Sequence, residues 1–171
     1  MNHFLSVLIS CMLLSFHSSA QGIFDACRKG DTSAIKVMIK VNPDTVNCRN
    51  EGGFTPLIIA GYRGQMDVVK LLLKHKADVN AASGEGTVLM GACFKGNVEL
   101  AALLIANRAD VNGANDLGTT PLMYAILSQK IELIKLLLEN GAEKDVRERS
   151  GKTALDYAVQ SGNKEIIDLV D

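Results

Sequence analysis

The stretch GFTPLIIAGYRGQMDVVKLLLKHKADVN, beginning at Gly53, returns sixty-five residues later as GTTPLMYAILSQKIELIKLLLENGAEKD, beginning at Gly118. A fixed internal period marks a chain assembled from stacked copies of one supersecondary unit, and this constrains the fold more than any composition figure. The copies can be indexed on one trio. Thr55-Pro56-Leu57 recurs as Thr87-Val88-Leu89, Thr120-Pro121-Leu122 and Thr153-Ala154-Leu155, at steps of 32, 33 and 33 residues. Five residues after each Thr stands an alanine: Ala60, Ala92, Ala125 and Ala158. Nine after it stand Gly64, Gly96, Gln129 and Gly162. An apolar pattern follows in each copy (MDVVKLLL, VELAALLI, IELIKLLL, KEIIDLV), and three copies close with ADVN, ADVN and AEKD. Upstream, FDACRKGDTSAIKVMIK places Ala26 and Gly30 in the same slots without a TPL start.

Each slot has a physical reason. A Thr hydroxyl can accept an orphan N–H at a helix start. Pro in the first helical turn loses nothing, because its missing N–H would have no helical partner. Alanines let two short helices approach closely. Gly64, Gly96 and Gly162 allow the left-handed residue that ends a first helix. Leu, Ile and Val at spacings of three and four put one apolar face on the second helix. Helices this short are marginal alone, so neighbouring copies must bury each other's faces. NEGG and SGEG between copies read as tight turns.

The residues of GFTPLIIAGYRGQMDVVKLLLKHKADVN and its three downstream copies resemble the ankyrin repeat family. The resemblance implies an all-α ankyrin-repeat solenoid of five helix-turn-helix units joined by hairpin-like turns. The domain would span 21–171, with repeats at 21–49, 50–81, 82–113, 114–146 and 147–171. Three departures carry expectations. Family members usually place His after TPL, where this chain has Ile58, Met90, Met123 and Asp156, so part of the bonding between repeats should be missing. The third copy is one residue short before Thr87, which should alter its hairpin tip. Gln129 replaces a helix-ending glycine, so the first helix of the fourth repeat should end differently.

The first twenty residues stand apart, with no Asp, Glu, Lys or Arg. Their apolar run from Phe4 to Phe16 is too short to span a bilayer as a helix. Ser18 and Ala20 fit a signal-peptidase site cutting before Gln21, so 1–20 reads as a secretory signal peptide. LISC, Leu8 to Cys11, leaves a lipoprotein box open as an alternative, with Cys11 as its lipidation site. Export to the periplasm or outside the cell is the expected localisation, with a cytosolic scaffold as the alternative. The mature chain has no segment expected to span a membrane stably, and is expected to be a monomer.

Chemistry is scarce. The formal net charge is −1 and the basic residues form no run, so nucleic acid is not an expected partner. His75, the single histidine after residue 20, sits where a cation suits a helix C-terminus. Cys27 and Cys93 occupy the same slot two copies apart, too far to pair, and read as small core residues. Cys48 lies in a turn and is expected at the surface. Glu99, Glu132 and Glu165 recur at second-helix starts, where negative charge complements the helix dipole. No spacing suggests zinc or a phosphate loop. The expectation is a non-enzymatic module with no cofactor and no metal.

In ankyrin-like proteins partners bind mainly the concave side, built from hairpin tips and first-helix ends. The two residues before each helix-ending slot are Arg28-Lys29, Tyr62-Arg63, Phe94-Lys95, Leu127-Ser128 and Gln160-Ser161. Aromatic and Arg side chains are the usual anchors of protein interfaces. Tyr62, Arg63, Phe94 and Lys95 are therefore expected at the centre of a patch for an acidic-rimmed protein, with Phe54 and Leu117 as exposed tip residues. Two roles stay open by resemblance: a periplasmic factor that neutralises a toxin or supports an enzyme, and an effector that binds host proteins. An enzyme using the groove would need convergent titratable groups, and the expected slots supply none.

Overall fold

The computed structural model describes residues 22–171. The signal-peptide reading of 1–20, the cut before Gln21 and the lipidation of Cys11 lie outside the described residues. The chain forms two compact units, one ending at Ala77 and one from Asp78 to Asp171.

In the first unit, residues 22–29 form helix α1. Helix α2 (Thr32–Val41), a 3-10 turn (Pro43–Asn47), α3 (Pro56–Tyr62) and α4 (Met66–Lys74) follow. The second unit opens with a two-stranded hairpin, β1 (Ala82–Ser83) against β2 (Gly86–Thr87). It continues with α5 (Val88–Phe94), α6 (Val98–Ala106), α7 (Pro121–Leu127), α8 (Ile131–Glu139), α9 (Ala154–Ser161) and α10 (Lys164–Val170). The fold is all-α, as the repeat pattern predicts.

The local signals act as chemistry requires. The side chains of Thr55, Thr87, Thr120 and Thr153 accept the N–H groups of Ile58, Met90, Met123 and Asp156. At Thr153 the bond is reciprocal: Asp156, standing in the family's His slot, accepts from the Thr153 N–H at 2.7 Å, completing a capping box. Within the second unit α5 packs on α7 and α7 on α9, while each first helix packs on its own second helix. Leu72 in the first unit and Leu104 in the second are fully buried. A buried leucine contributes about 2 kcal/mol relative to an exposed one, which offsets the weakness of helices this short.

One expectation fails. Gln129 does not change how its helix ends: its φ of 54° repeats the left-handed turn of Gly30, Gly64, Gly96 and Gly162. The packing of α7 on α8 fixes the turn between them, and the Gln129 N–H donates to the Ile126 carbonyl at 2.9 Å, although a Cβ resists this conformation. A second left-handed slot closes the second helices, at Lys76 (φ 66°), Arg108 (φ 68°) and Gly141 (φ 86°). Bonding between copies is present all the same. The closing asparagines supply it. Asn80 Nδ2 donates to the Arg108 carbonyl at 3.3 Å, and its Oδ1 accepts the Asp110 N–H at 2.8 Å. Asn112 does the same toward Gly141 (3.0 Å) and Glu143 (2.9 Å). Asn47 Nδ2 donates to the Lys76 carbonyl at 3.3 Å. Each asparagine thus ties the left-handed end of the next second helix.

The third tip is altered, as its missing residue predicts. Ser83 pairs with Gly86, leaving Gly84 and Glu85 as a two-residue turn. Elsewhere the tips are longer and close through Gly53, Gly118 and Gly151, each at positive φ. Their N–H groups donate to the carbonyls of Asn50, Asn115 and Glu148.

Candidate functional site

Positions at first-helix ends face solvent because the turn that follows cannot bury them. In the first unit Tyr62 is the last residue of α3 and is 53% exposed, and Arg63 beside it is the exposed C-cap. Lys29 is exposed. Arg28 differs from the expected open cation: it is half-buried, and Nη1 bonds Asp25 Oδ1 at 2.6 Å. Its carbonyl accepts from Gln65 Nε2 at 3.2 Å. Phe54 corrects the expectation of an exposed tip. The residue is half-buried, with its ring over Gly52, where an added Cβ would lie 2.9 Å from Cε2. A side chain at 52 would force the ring to shift, and the contact covers part of the ring's own apolar surface.

The second unit gathers more apolar surface. Phe94 is 59% exposed, Leu127 51% and Leu117 54%. Phe94 meets Tyr124 of the neighbouring first helix edge-to-face, with centroids 5.8 Å apart and planes at 85°. Such a pair contributes about 0.5–1.5 kcal/mol beyond burial and fixes the ring. Asn115 Nδ2 donates to the Tyr124 hydroxyl at 3.1 Å, holding the second ring from the tip side. Lys95 is the exposed C-cap of α5. On the next repeat Lys152 Nζ lies 5.4 Å from the Tyr157 ring centroid, a cation–π distance, and 3.4 Å from Gln160 Oε1.

Sequence reasoning missed Tyr124 because it scanned only the two residues before the helix-ending slot. The signal was present. The slot four after each Thr holds Ile59, Gly91, Tyr124 and Tyr157. Gly91 removes a side chain from this row, and a Cβ there would meet nothing within 4 Å. The surface beside Phe94 is therefore open.

The titratable groups are arranged for structure. Burial pushes the Cys27 thiol up to about 12, with Cys48 adding and Arg28 opposing. Burial alone pushes Cys93 up to about 12. A nucleophilic thiol needs the opposite shift. Cys48 is half-buried rather than fully exposed, and burial raises it too. Glu148 is held below the usual carboxylate range by bonds from the Ser150 hydroxyl and N–H, and Asp156 by those from Thr153. Both serve turns or caps. Glu99, Glu132 and Glu165 stand in the first turns of α6, α8 and α10, as expected of dipole partners. His75 is the exposed C-cap of α4. Among the described residues no group of three His, Cys, Asp or Glu is placed to hold a metal ion. No described helix is long and apolar enough to cross a membrane.

Comparison with known proteins agrees with this architecture. The family profile described as ankyrin repeats (3 copies) matches residues 23–115 and again 89–170. The chain is 38% identical over 63 residues to the palmitoyltransferase akr1 of Schizosaccharomyces pombe, covering 37% of this chain and 10% of that protein. It is 38% identical over 58 residues to ankyrin repeat and SAM domain-containing protein 6 of Rattus norvegicus, covering 34% and 7%. It is 34% identical over 61 residues to ankyrin repeat domain-containing protein 29 of Homo sapiens, covering 36% and 20%. The chain thus spans a fifth or less of these relatives. The profile matches run almost end to end through the described residues, and the chain belongs to the ankyrin repeat family, whose repeats serve as protein–protein interaction modules.

Proposed function

We propose that this chain is an exported, non-enzymatic binding module that captures another protein on its first-helix ends. The observation that carries the reading is the Phe94–Tyr124 pair, a ring locked edge-to-face yet 59% exposed at Phe94, with Leu127 51% exposed on the adjoining helix end. A rigid, half-open aromatic surface loses little entropy on binding, which is what an interface anchor needs. Lys95 and Leu117 are further exposed positions of the second unit. Tyr62 and Arg63, with Lys29, form a separate candidate surface in the first unit. Arg28 and Phe54 contribute less, since each is engaged within the chain. The mechanism is steric capture, with no bond made or broken.

Phe94→Ala with Leu127→Ala in the full chain should lower capture of the native partner at least tenfold while circular dichroism stays unchanged. Unchanged capture by a folded variant sinks the patch. The apolar first twenty residues support export, to the periplasm or outside the cell. N-terminal sequencing of the native protein decides: a start at Gln21 supports export, and an intact Met1 in the cytosol overturns it.

A further inference from the structure

The second-helix side of the first unit has a chemistry of its own. On α2 the buried residues are Ile35 and Ile39, so the opposite face carries Lys36, Val37, Lys40 and Val41, all exposed. On α4 the buried residues are Val68, Val69 and Leu72, and the opposite face carries Lys70 and Lys74 one turn apart. The two helices pack side by side. Lys76 and His75, both exposed, follow at the end of α4. Against these lysines stand Asp31, the exposed N-cap of α2, Asp67, in the first turn of α4, and Asp44, in the 3-10 turn. Val37 is 63% exposed and Val41 79%, the highest values for large apolar side chains among the described residues.

We propose that this α2–α4 face docks on an anionic lipid surface. The composition of the face selects that partner. Protein interfaces enrich aromatic residues and Arg, and deplete Lys. This face has lysines, valines and no aromatic or Arg side chain. Clustered lysines on a helical surface suit anionic headgroups, each contributing through long-range attraction without a shaped pocket. The long lysine stems let the ammonium groups reach headgroups while Val37 and Val41 enter the boundary region. The assignment is independent of the first-helix patch, which carries the rings and is read as protein-binding.

The test uses the full chain and co-sedimentation with vesicles of phosphatidylglycerol and phosphatidylethanolamine, against vesicles of phosphatidylcholine alone. The readout is the difference between the two vesicle types, so that any pull from the apolar first twenty residues cancels. Wild type should favour the anionic vesicles, and added salt should remove the preference. Each Lys→Gln change among Lys36, Lys40, Lys70 and Lys74 should lower the preference about fivefold. Val37→Ser with Val41→Ser should weaken anionic binding severalfold without removing its salt dependence. Equal binding to both vesicle types overturns the proposal, as does a preference unmoved by the quadruple Lys→Gln variant with wild-type circular dichroism. If polyglutamate competes fully and the valine change has no effect, the partner is an acidic polypeptide and the lipid assignment falls.

Discussion

Residues 22–77 hold nine Lys and Arg against five Asp and Glu, whereas residues 78–171 hold nine against fourteen. The near-neutral sum conceals two units of opposite sign. The difference is sharpest on the second helices. Helix α2 has Lys36 and Lys40 with no acidic residue, while α6 has Glu99 with no basic one. The first-helix ends differ in another way. The first unit shows Tyr62 and Arg63, and the second shows a locked pair of rings with aliphatic neighbours. Repeats that share a scaffold can therefore carry unlike surfaces, because the slots that form the core and the slots that face solvent never coincide.

The largest test of that separation is in the core. Leu72→Ala and Leu104→Ala should each cost about 2–5 kcal/mol in denaturant unfolding, although their units differ in surface charge. A cost confined to one unit would show that the scaffolds are not equivalent. The buried thiols compare the units by pH. Cys27 and Cys93 are both pushed up to about 12 when folded, from 9.0. The folded state therefore keeps protons that the unfolded state releases. Their contribution is intact below 9 and is lost as pH rises toward 12. Stability should fall by about 1.4 kcal/mol per pH unit for each thiol within that window. Replacing either cysteine with alanine should make the decline shallower in a chemical-denaturation series across alkaline pH, and an unchanged slope would exclude the thiols as its cause.

Asn112→Ala removes two bonds of the second unit, to Gly141 and Glu143, and should cost about 2 kcal/mol. Asn112→Asp keeps the acceptor but sets a carboxylate against the Gly141 carbonyl, so it should recover little of that loss. The smallest effect runs the other way. Gln129→Gly relieves a left-handed residue and should raise stability by about 0.5–1 kcal/mol, read as a higher urea midpoint. Gly96→Ala, at the same slot one copy earlier, should destabilise, because its Cβ would lie 2.8 Å from Lys130 Cγ.

The scaffold was legible because its slots obey local rules. Thr at a helix start, Gly at a left-handed end and an apolar face each need only a few neighbouring residues to act. The short third tip was legible for the same reason, since counting residues counts backbone. The asparagine ties were not read, although Asn47, Asn80 and Asn112 repeat visibly, because their partners lie about thirty residues away in the next copy. The candidate site was legible in part. Tyr62, Phe94, Leu127 and Leu117 are exposed as expected. Arg28 and Phe54 were misjudged, since a contact with Asp25 or Gly52 is set by side-chain direction rather than by slot.

The sequence by itself determined the repeat, its period, the helices and their caps, because these follow from propensity and spacing along the chain. Tertiary structure alone decided three things. It held Gln129 left-handed against its own preference, since packing outweighs a strain of about 1–2 kcal/mol. It set Tyr124 against Phe94, thirty residues apart in sequence and 5.8 Å apart between rings. And it gathered lysines that form no run in the chain onto one face, because the 3.6-residue turn and the packing of α2 beside α4 bring their solvent sides together.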